Sequence, residues 1–222
     1  MARLFDMDNP VWRFMGRVAD TFLLTLFWLI GSLPLLTIGA SSAALYTVTL
    51  RMAQNREGYL WKSFWQAYRD NFRQSTVLWL ILVLLGAFFG VDLYWYHRLE
   101  GPFGTFGFWL FAVLAFLYLL TAVMVFPLTA RLDAGVRRIL FFSFMTALKN
   151  FGWTLFLLVG PACFLALGLF VFWPFLFFWP GATGYVSALI LTKFIFPKYH
   201  WDEQSGARSA GGEGEDEDEK GL

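Results

Sequence analysis

Three acidic residues each adjoin a long apolar stretch of this chain and are its first candidates for chemistry: Asp20, Asp92 and Asp133. A carboxylate held in an apolar medium is costly and usually serves a function. All three nevertheless lie near the ends of these stretches, where a carboxylate can reach water or cap a helix. Because no charged residue lies at the centre of an apolar stretch, the sequence disfavours a transporter that relays protons through the middle of a membrane.

Metal and nucleophile chemistry has few candidates. The chain has two histidines, His97 and His200, and one cysteine, Cys163, so a metal site would need carboxylates to complete it. It has no P-loop, no G-x-S-x-G and no dinucleotide-binding fingerprint. We therefore predict no catalytic residue, no cofactor, no metal and no enzymatic activity. An enzyme would have to use scattered Ser, Asn and Asp side chains.

The composition indicates which elements position these residues. Of the 222 residues, 58% are hydrophobic and 15% are charged, against about 45–50% and about 25% in soluble domains. An apolar run of about 20 residues crosses a bilayer, so the chain is long enough for several crossings. The net charge of +1 argues against nucleic acid as a partner. The sequence predicts an all-α, polytopic transmembrane helical bundle whose partner is the lipid bilayer.

Five apolar stretches are candidate spans. The first is too long for one perpendicular helix and contains Pro34, where a helix must kink or end. It is therefore either a hairpin of two short helices or one helix that is re-entrant or strongly tilted. The five stretches cover residues 18–50, 75–96, 106–128, 152–175 and 182–197.

The basic residues distinguish these alternatives, since short loops rich in Lys and Arg stay in the cytoplasm. They concentrate before the first stretch, after the first and third stretches, and at the carboxyl end of the chain. The two remaining connections hold Arg98 alone. Rich and poor segments alternate throughout if the first stretch crosses twice. We therefore favour six crossings with both termini cytoplasmic over five crossings.

Two segments of the chain resemble each other at a distance of 80 residues. In both copies a Thr-x-Arg triplet precedes a Ser-Phe pair, an alanine and an Asn-Phe pair, and the spacing from Arg to Ser is twelve residues. The first copy has Thr49, Arg51, Ser63, Phe64, Ala67 and Asn71, and the second has Thr129, Arg131, Ser143, Phe144, Ala147 and Asn150. The pattern indicates a parallel internal repeat, as in some transporters, with chance similarity as the alternative.

Each copy also contains an amphipathic segment before its span. In the first copy aromatic rings recur at helical spacing from Trp61 to Phe72, while Lys62, Arg69 and Arg73 lie off that face. We expect cytoplasmic amphipathic helices that rest in the headgroup layer, with rings buried and cations toward anionic lipid. The alternative is a coupling surface for another protein.

The chain divides into two parts by composition. Residues 1–200 form the predicted membrane-embedded helical domain, in which pairs such as Gly86 and Gly90 have the spacing that lets helices approach closely. Residues 201–222 are rich in Glu, Asp and Gly and cannot bury enough apolar surface to fold, which predicts a disordered acidic tail.

One part of the sequence resembles a known family. The segments Thr37-Ile38-Gly39-Ala40 and Ala43-Ala44-Leu45-Tyr46, followed by Ser63-Phe64 and Asn71-Phe72, are similar to the YesL family of small bacterial membrane proteins, which hold a domain of unknown function. Its members often accompany carbohydrate importers of the ABC type. The resemblance therefore implies a bacterial inner membrane protein with an accessory or assembly role beside such an importer, and it implies no established activity.

We expect an integral membrane accessory or assembly protein that contacts the permease of a carbohydrate importer, or a second copy of itself. The alternative is a self-contained channel or facilitator for small solutes. Eight residues of the repeat and of the Pro34 region are candidates for the interface: Thr37, Gly39, Ser63, Phe64, Asn71, Ser143, Phe144 and Asn150.

Overall fold

The computed structural model of this chain describes residues 10–54, 59–132, 134–170 and 178–198. All regular secondary structure in these ranges is helical, which confirms the predicted all-α class. The helices are α1 (Pro10–Gly31), α2 (Ile38–Ala53), α3 (Leu60–Arg98), α4 (Pro102–Thr129), α5 (Val136–Lys149), α6 (Phe151–Phe170) and α7 (Trp179–Ile190). Of these, α3, α4 and α6 are long and apolar enough to cross a membrane. The predicted acidic tail lies outside the described residues.

The first apolar stretch breaks into two helices around Pro34. Helix α1 ends at Gly31, a short 3₁₀ turn covers Leu35–Thr37, and α2 follows directly. The Thr37 hydroxyl closes this turn, because its Oγ1 lies 2.8 Å from the Gly31 carbonyl oxygen and 2.7 Å from that of Pro34. The single hydroxyl hydrogen is shared between these two carbonyls, and the Gly31 carbonyl is one of those that the end of α1 leaves without a helical partner.

Helix α2 packs closely against α3, and Gly39 makes this approach possible. A Cβ atom at Gly39 would lie 2.5 Å from the Ser75 carbonyl oxygen and 2.6 Å from Trp79 Cβ. In the same region Trp79 Nε1 donates to the Leu35 carbonyl at 3.0 Å. The turn between α1 and α2 therefore lies beside Trp79.

The position of that turn bears on the number of crossings. Helix α3 has 39 residues, which corresponds to about 58 Å, and Trp79 is at its middle. Six crossings require the Pro34 turn and Arg51 to lie on opposite faces of the membrane. The turn lies beside Trp79, about 29 Å from Arg98 along the axis of α3, and the number of crossings stays a prediction.

The second half of α3 pairs with α4 in an antiparallel hairpin. Tyr118 donates its hydroxyl to the Leu82 carbonyl at 2.6 Å, and the rings of Tyr96 and Phe111 stack at 5.1 Å between centroids. Gly101, with φ of 107°, forms the turn between the two helices. Later residues of α3 thus contact earlier residues of α4. Because the α1–α2 turn lies beside Trp79, the α3–α4 hairpin extends past the end of the α1–α2 hairpin.

The first amphipathic segment is helical, but it is not separate from its span. Residues 60–74 continue directly into the apolar half of α3, and no Gly or Pro interrupts the chain between Leu60 and Trp79. The Phe64 ring is fully buried in a cluster with Leu24 of α1 and Val48 of α2. Part of the aromatic face therefore packs against the α1–α2 hairpin, while Trp61 is exposed. The contact of this face with lipid stays a prediction.

The second amphipathic segment differs from the first. Helix α5 ends at Lys149 and α6 begins at Phe151, with Asn150 between them outside helical geometry (φ −117°, ψ 42°). Its buried face includes Ile139 and Ala147, which pack in two different apolar clusters. Here the predicted separate amphipathic helix exists, and it packs on α4.

Helix α7 packs against α1 and α2. The Thr25 hydroxyl donates to the Thr21 carbonyl at 3.0 Å and accepts the Gly181 backbone N–H at 3.1 Å. After α7, a π turn (Leu191–Ile195) and a 3₁₀ turn (Phe196–Lys198) carry the chain toward the end of α4.

Candidate functional site

A polar cavity of about 530 Å³ lies where α2, α3, α4 and the segment before α5 meet. Its charged lining residues are Arg51, Asp70 and Arg131, and its neutral polar ones are Thr47, Asn71, Gln74 and Thr129. The volume lies within the range of about 300–1,000 Å³ that is typical of small-molecule sites.

The two arginines come from equivalent places in the chain. Arg51 lies in the last turn of α2 and is exposed, and Arg131 follows the end of α4 and is half-buried. The Arg131 guanidinium lies 4.4 Å from the centroid of the Phe196 ring. Cations are favourable at helix carboxyl ends, so both positions stabilise the helices as well as line the cavity.

The wall formed by Ala130, Arg131, Ala134 and Gly135 is held against α3. Gln74 donates from Nε2 to the Ala134 carbonyl at 2.5 Å. At the end of this wall Gly135 is the residue before α5, and it has no side chain that could cap the helix. The first N–H groups of a helix lack partners within the helix, so this wall adds hydrogen-bond donors at the edge of the cavity.

One equivalent pair of the two sequence copies, Arg51 and Arg131, lines the cavity, and other equivalent residues make similar local hydrogen bonds. Thr49 and Thr129 both donate to the carbonyl four residues before them, at 2.9 and 2.7 Å. Asn71 and Asn150 make the same kind of bond, at 3.0 and 3.3 Å. The copies therefore share local hydrogen bonding, while one continues as a single helix and the other breaks at Asn150. The parallel repeat stays a prediction.

The eight predicted interface residues do not form one surface. Those buried within the chain are Thr37, Gly39, Phe64, Ser143 and Asn150, and those half-buried are Ser63, Asn71 and Phe144. Asn71 alone among them lines the cavity. Gly39 packs against helix α3 of the same chain, which leaves no room there for a helix of another protein. The interface role of these residues stays a prediction.

The other residues considered for chemistry are scattered. Asp133 and His200 lie outside the described residues. Asp92 is half-buried in α3, and its Oδ2 has no hydrogen-bond partner in the described part of the chain. Cys163 is exposed, and the described ranges contain no group of three or more His, Cys, Asp or Glu residues that could hold a metal ion.

The sequence does not predict the cavity, because its polar residues come from positions 47–51, 70–74 and 129–131, which only the fold brings together. The repeated Thr-x-Arg triplet was the signal that pointed to two of these segments. Asp70 and Gln74 carried no comparable signal.

Comparison with known proteins gives two similar relatives. A family profile described as "Protein of unknown function, DUF624" matches residues 21–93. The chain is 26% identical over 208 residues to "Uncharacterized protein YesL" of Bacillus subtilis (strain 168), which covers 92% of this chain and 96% of that protein. It is 29% identical over 184 residues to "Uncharacterized protein YteU" of the same organism, covering 79% of this chain and 76% of that protein. No solved structure matches.

Proposed function

With its resemblance to the YesL family confirmed, we propose that this chain is a non-catalytic subunit of the bacterial inner membrane that docks laterally on another membrane protein. The partner we propose is the permease of a carbohydrate importer, the kind of system that the family resemblance implies. The docking surface lies on the outer half of the α3–α4 hairpin, the half that contains residues 79–98 of α3.

The charged residues of α3 support a placement of this hairpin in the bilayer. Arg69, Asp70 and Arg73 are exposed in the first half of α3 and therefore belong outside the hydrocarbon. The 20 residues from Trp79 to Arg98 rise about 29 Å, which matches a hydrocarbon core of about 30 Å. The one carboxylate among them, Asp92, lies about 9 Å from the Arg98 end. Loops rich in arginine stay in the cytoplasm, so we place the cavity end of the bundle on that side.

The α1–α2 hairpin then enters the membrane from the cytoplasmic side without crossing it. Its tip exposes Leu33, Leu35 and Leu36, and Leu33 is 80% exposed. These side chains lie level with Trp79, where the apolar half of α3 begins. Insertion of the tip into the cytoplasmic leaflet covers them with lipid and keeps both termini in the cytoplasm.

A stripe along α3 carries the docking proposal. Leu84, Ala87, Val91 and Trp95 recur every three or four residues and are all exposed, Leu84 by 69%. Residues at this spacing share one face of a helix. The opposite side of α3 already packs on α4, so the stripe is open to lipid or to a neighbouring helix.

The small residue in this stripe favours a helix as neighbour. Helix association in membranes relies on close packing between small residues and larger side chains, because lipid and protein side chains are equally apolar. Ala87 gives the stripe a shallow centre between Leu84 and Val91. A helix of the partner fits there with its side chains between these neighbours.

Replacement of Ala87 by phenylalanine separates lipid from protein as the neighbour. Lipid accommodates the added ring, whereas a packed helix does not. We expect Ala87→Phe to abolish co-purification of the importer permease in mild detergent while leaving the amount of membrane-inserted protein unchanged. Val113→Phe, on the exposed side of α4, is the control and should co-purify normally.

Two results would contradict the proposal. One is recovery of the wild-type protein without the permease from cells that express both. The other is flux of sugars or ions through the purified protein in liposomes, which would establish the channel alternative.

A further inference from the structure

We infer that the cavity between Arg51 and Arg131 binds a phosphate ester that also carries hydroxyl groups, such as a glycerol phosphate. This inference concerns the cytoplasmic end of the bundle and is independent of docking through α3.

The arginines supply the recognition of phosphate. Guanidinium groups are planar and make paired, charge-assisted hydrogen bonds to phosphate oxygens. Arg51 and Arg131 reach the same cavity from two different helix ends, and Arg51 is exposed to solvent. Gly135, the residue before α5, lines the edge of the cavity, and helix amino ends favour anions.

The threonines supply the recognition of hydroxyl groups. Thr47 donates its hydroxyl hydrogen to the Ala43 carbonyl at 2.9 Å, and Thr129 donates to that of Val125 at 2.7 Å. Each hydroxyl has one donor and two acceptor positions, so the oxygens of these two lining residues keep acceptor capacity. The Asp70 carboxylate also lines the cavity, and its negative charge opposes the binding of an anion there. A ligand that fits must therefore donate hydrogen bonds from hydroxyls as well as present an anion.

The location of the cavity points to the membrane surface. Gln74 and Thr129 line the cavity at the edges of the apolar runs of α3 and α4. Lipid headgroups lie at this level, and basic pockets between membrane helices are known to hold anionic headgroups. The glycerol phosphate can thus belong to phosphatidylglycerol or to a soluble ester, and the experiment distinguishes the two sources.

Binding is measured on the full-length protein with two probes. In phosphatidylcholine nanodiscs, calorimetric titration with glycerol 3-phosphate tests the soluble source, and inorganic phosphate tests the need for hydroxyls. Native mass spectrometry in detergent with added phosphatidylglycerol, against phosphatidylcholine, tests the lipid source. We expect saturable binding of at least one glycerol phosphate probe and weaker binding of inorganic phosphate.

Three variants assign the binding to the cavity. Arg51→Gln removes a charge-assisted contact, so we expect binding about tenfold weaker. Asp70→Asn removes a like charge and should tighten binding about threefold. Arg73→Gln, an exposed residue of α3 outside the lining, is the matched control and should bind as the wild type does.

The inference fails if neither glycerol phosphate probe binds, or if Arg51→Gln and Arg73→Gln weaken binding equally. It also fails if Asp70→Asn has no effect or weakens binding. That result would mean that the anion does not bind near Asp70, and that the arginines only stabilise the helix ends. A thermal unfolding curve for each variant shows that loss of binding is not loss of fold.

Discussion

Helix α2 and the first half of α4 are both apolar, yet they have opposite environments. In α2 the small residues Gly39, Ala40 and Ala43 are buried against other helices. In the first half of α4 large side chains such as Phe103 and Trp109 are exposed, Phe103 by 89%. Small residues let helices approach closely, and large apolar residues are stable in lipid. Hydrophobicity alone therefore does not distinguish the packed region from the outer half of the α3–α4 hairpin, because both are apolar.

The largest expected loss of stability is at Gly39, where a large side chain would disrupt the close packing of α2. Gly39→Leu places atoms against the Ser75 backbone and Trp79, so we expect at least about 3 kcal/mol of destabilisation and loss of most folded protein. Gly90→Leu is the control, since no atom lies within 4 Å of a Cβ there. Fluorescence-detected size-exclusion chromatography measures both, and equal yields would contradict the close α2–α3 packing.

The next effect separates the two sides of the first amphipathic segment. Phe64→Ala removes a fully buried ring, and we expect a loss of about 3–5 kcal/mol. Trp61, which is 60% exposed, should cost about 1 kcal/mol or less when changed to alanine. Thermal unfolding in detergent measures the difference. A reversed order would mean that the aromatic face contacts lipid.

A smaller effect is expected in the turn between α1 and α2. Thr37→Val removes the hydroxyl that bonds the Gly31 and Pro34 carbonyls, at a cost of about 1–2 kcal/mol. Thr105→Val removes an exposed bond at the start of α4 and should have little effect. Equal shifts in the unfolding midpoint would contradict a specific role for Thr37.

The smallest loss of stability is expected in the outer half of the α3–α4 hairpin. Tyr118→Phe removes the bond to the Leu82 carbonyl, and single hydrogen bonds between membrane helices average about 0.6 kcal/mol. We expect a small but measurable shift in the unfolding midpoint. A shift as large as that of Phe64→Ala would show that this hairpin is held by its polar contact and not by lipid.

Sequence reasoning found the local features of the fold. The break at Pro34 follows from the chemistry of one residue, since proline lacks a backbone N–H and its ring favours a kink or an end of the helix. The all-α class follows from apolar stretches that need internal hydrogen bonds in lipid. Both inferences use only neighbouring residues.

The long-range features were not accessible in the same way. The continuity of α3 was missed because the charges at Lys62 and Arg69 suggested a surface helix, although no residue ends the helix before the apolar run. The cavity was missed because Arg51, Asp70 and Arg131 become neighbours only through helix packing. Periodicity indicates which face of a helix is apolar, and it does not indicate which element covers that face.

The placement of the bilayer around the outer half of α3 and α4 is tested most directly by cysteine labelling in intact cells. The background variant is Cys163→Ser, and single changes are Glu100→Cys in the α3–α4 turn, Leu33→Cys in the α1–α2 turn and Arg69→Cys in the first half of α3. We predict that an impermeant thiol reagent labels position 100 in intact cells and labels position 69 only after the cells are opened. Position 33, which lipid covers, should stay unlabelled in both conditions. Labelling of position 33 or 69 from outside, or protection of position 100, would contradict the account.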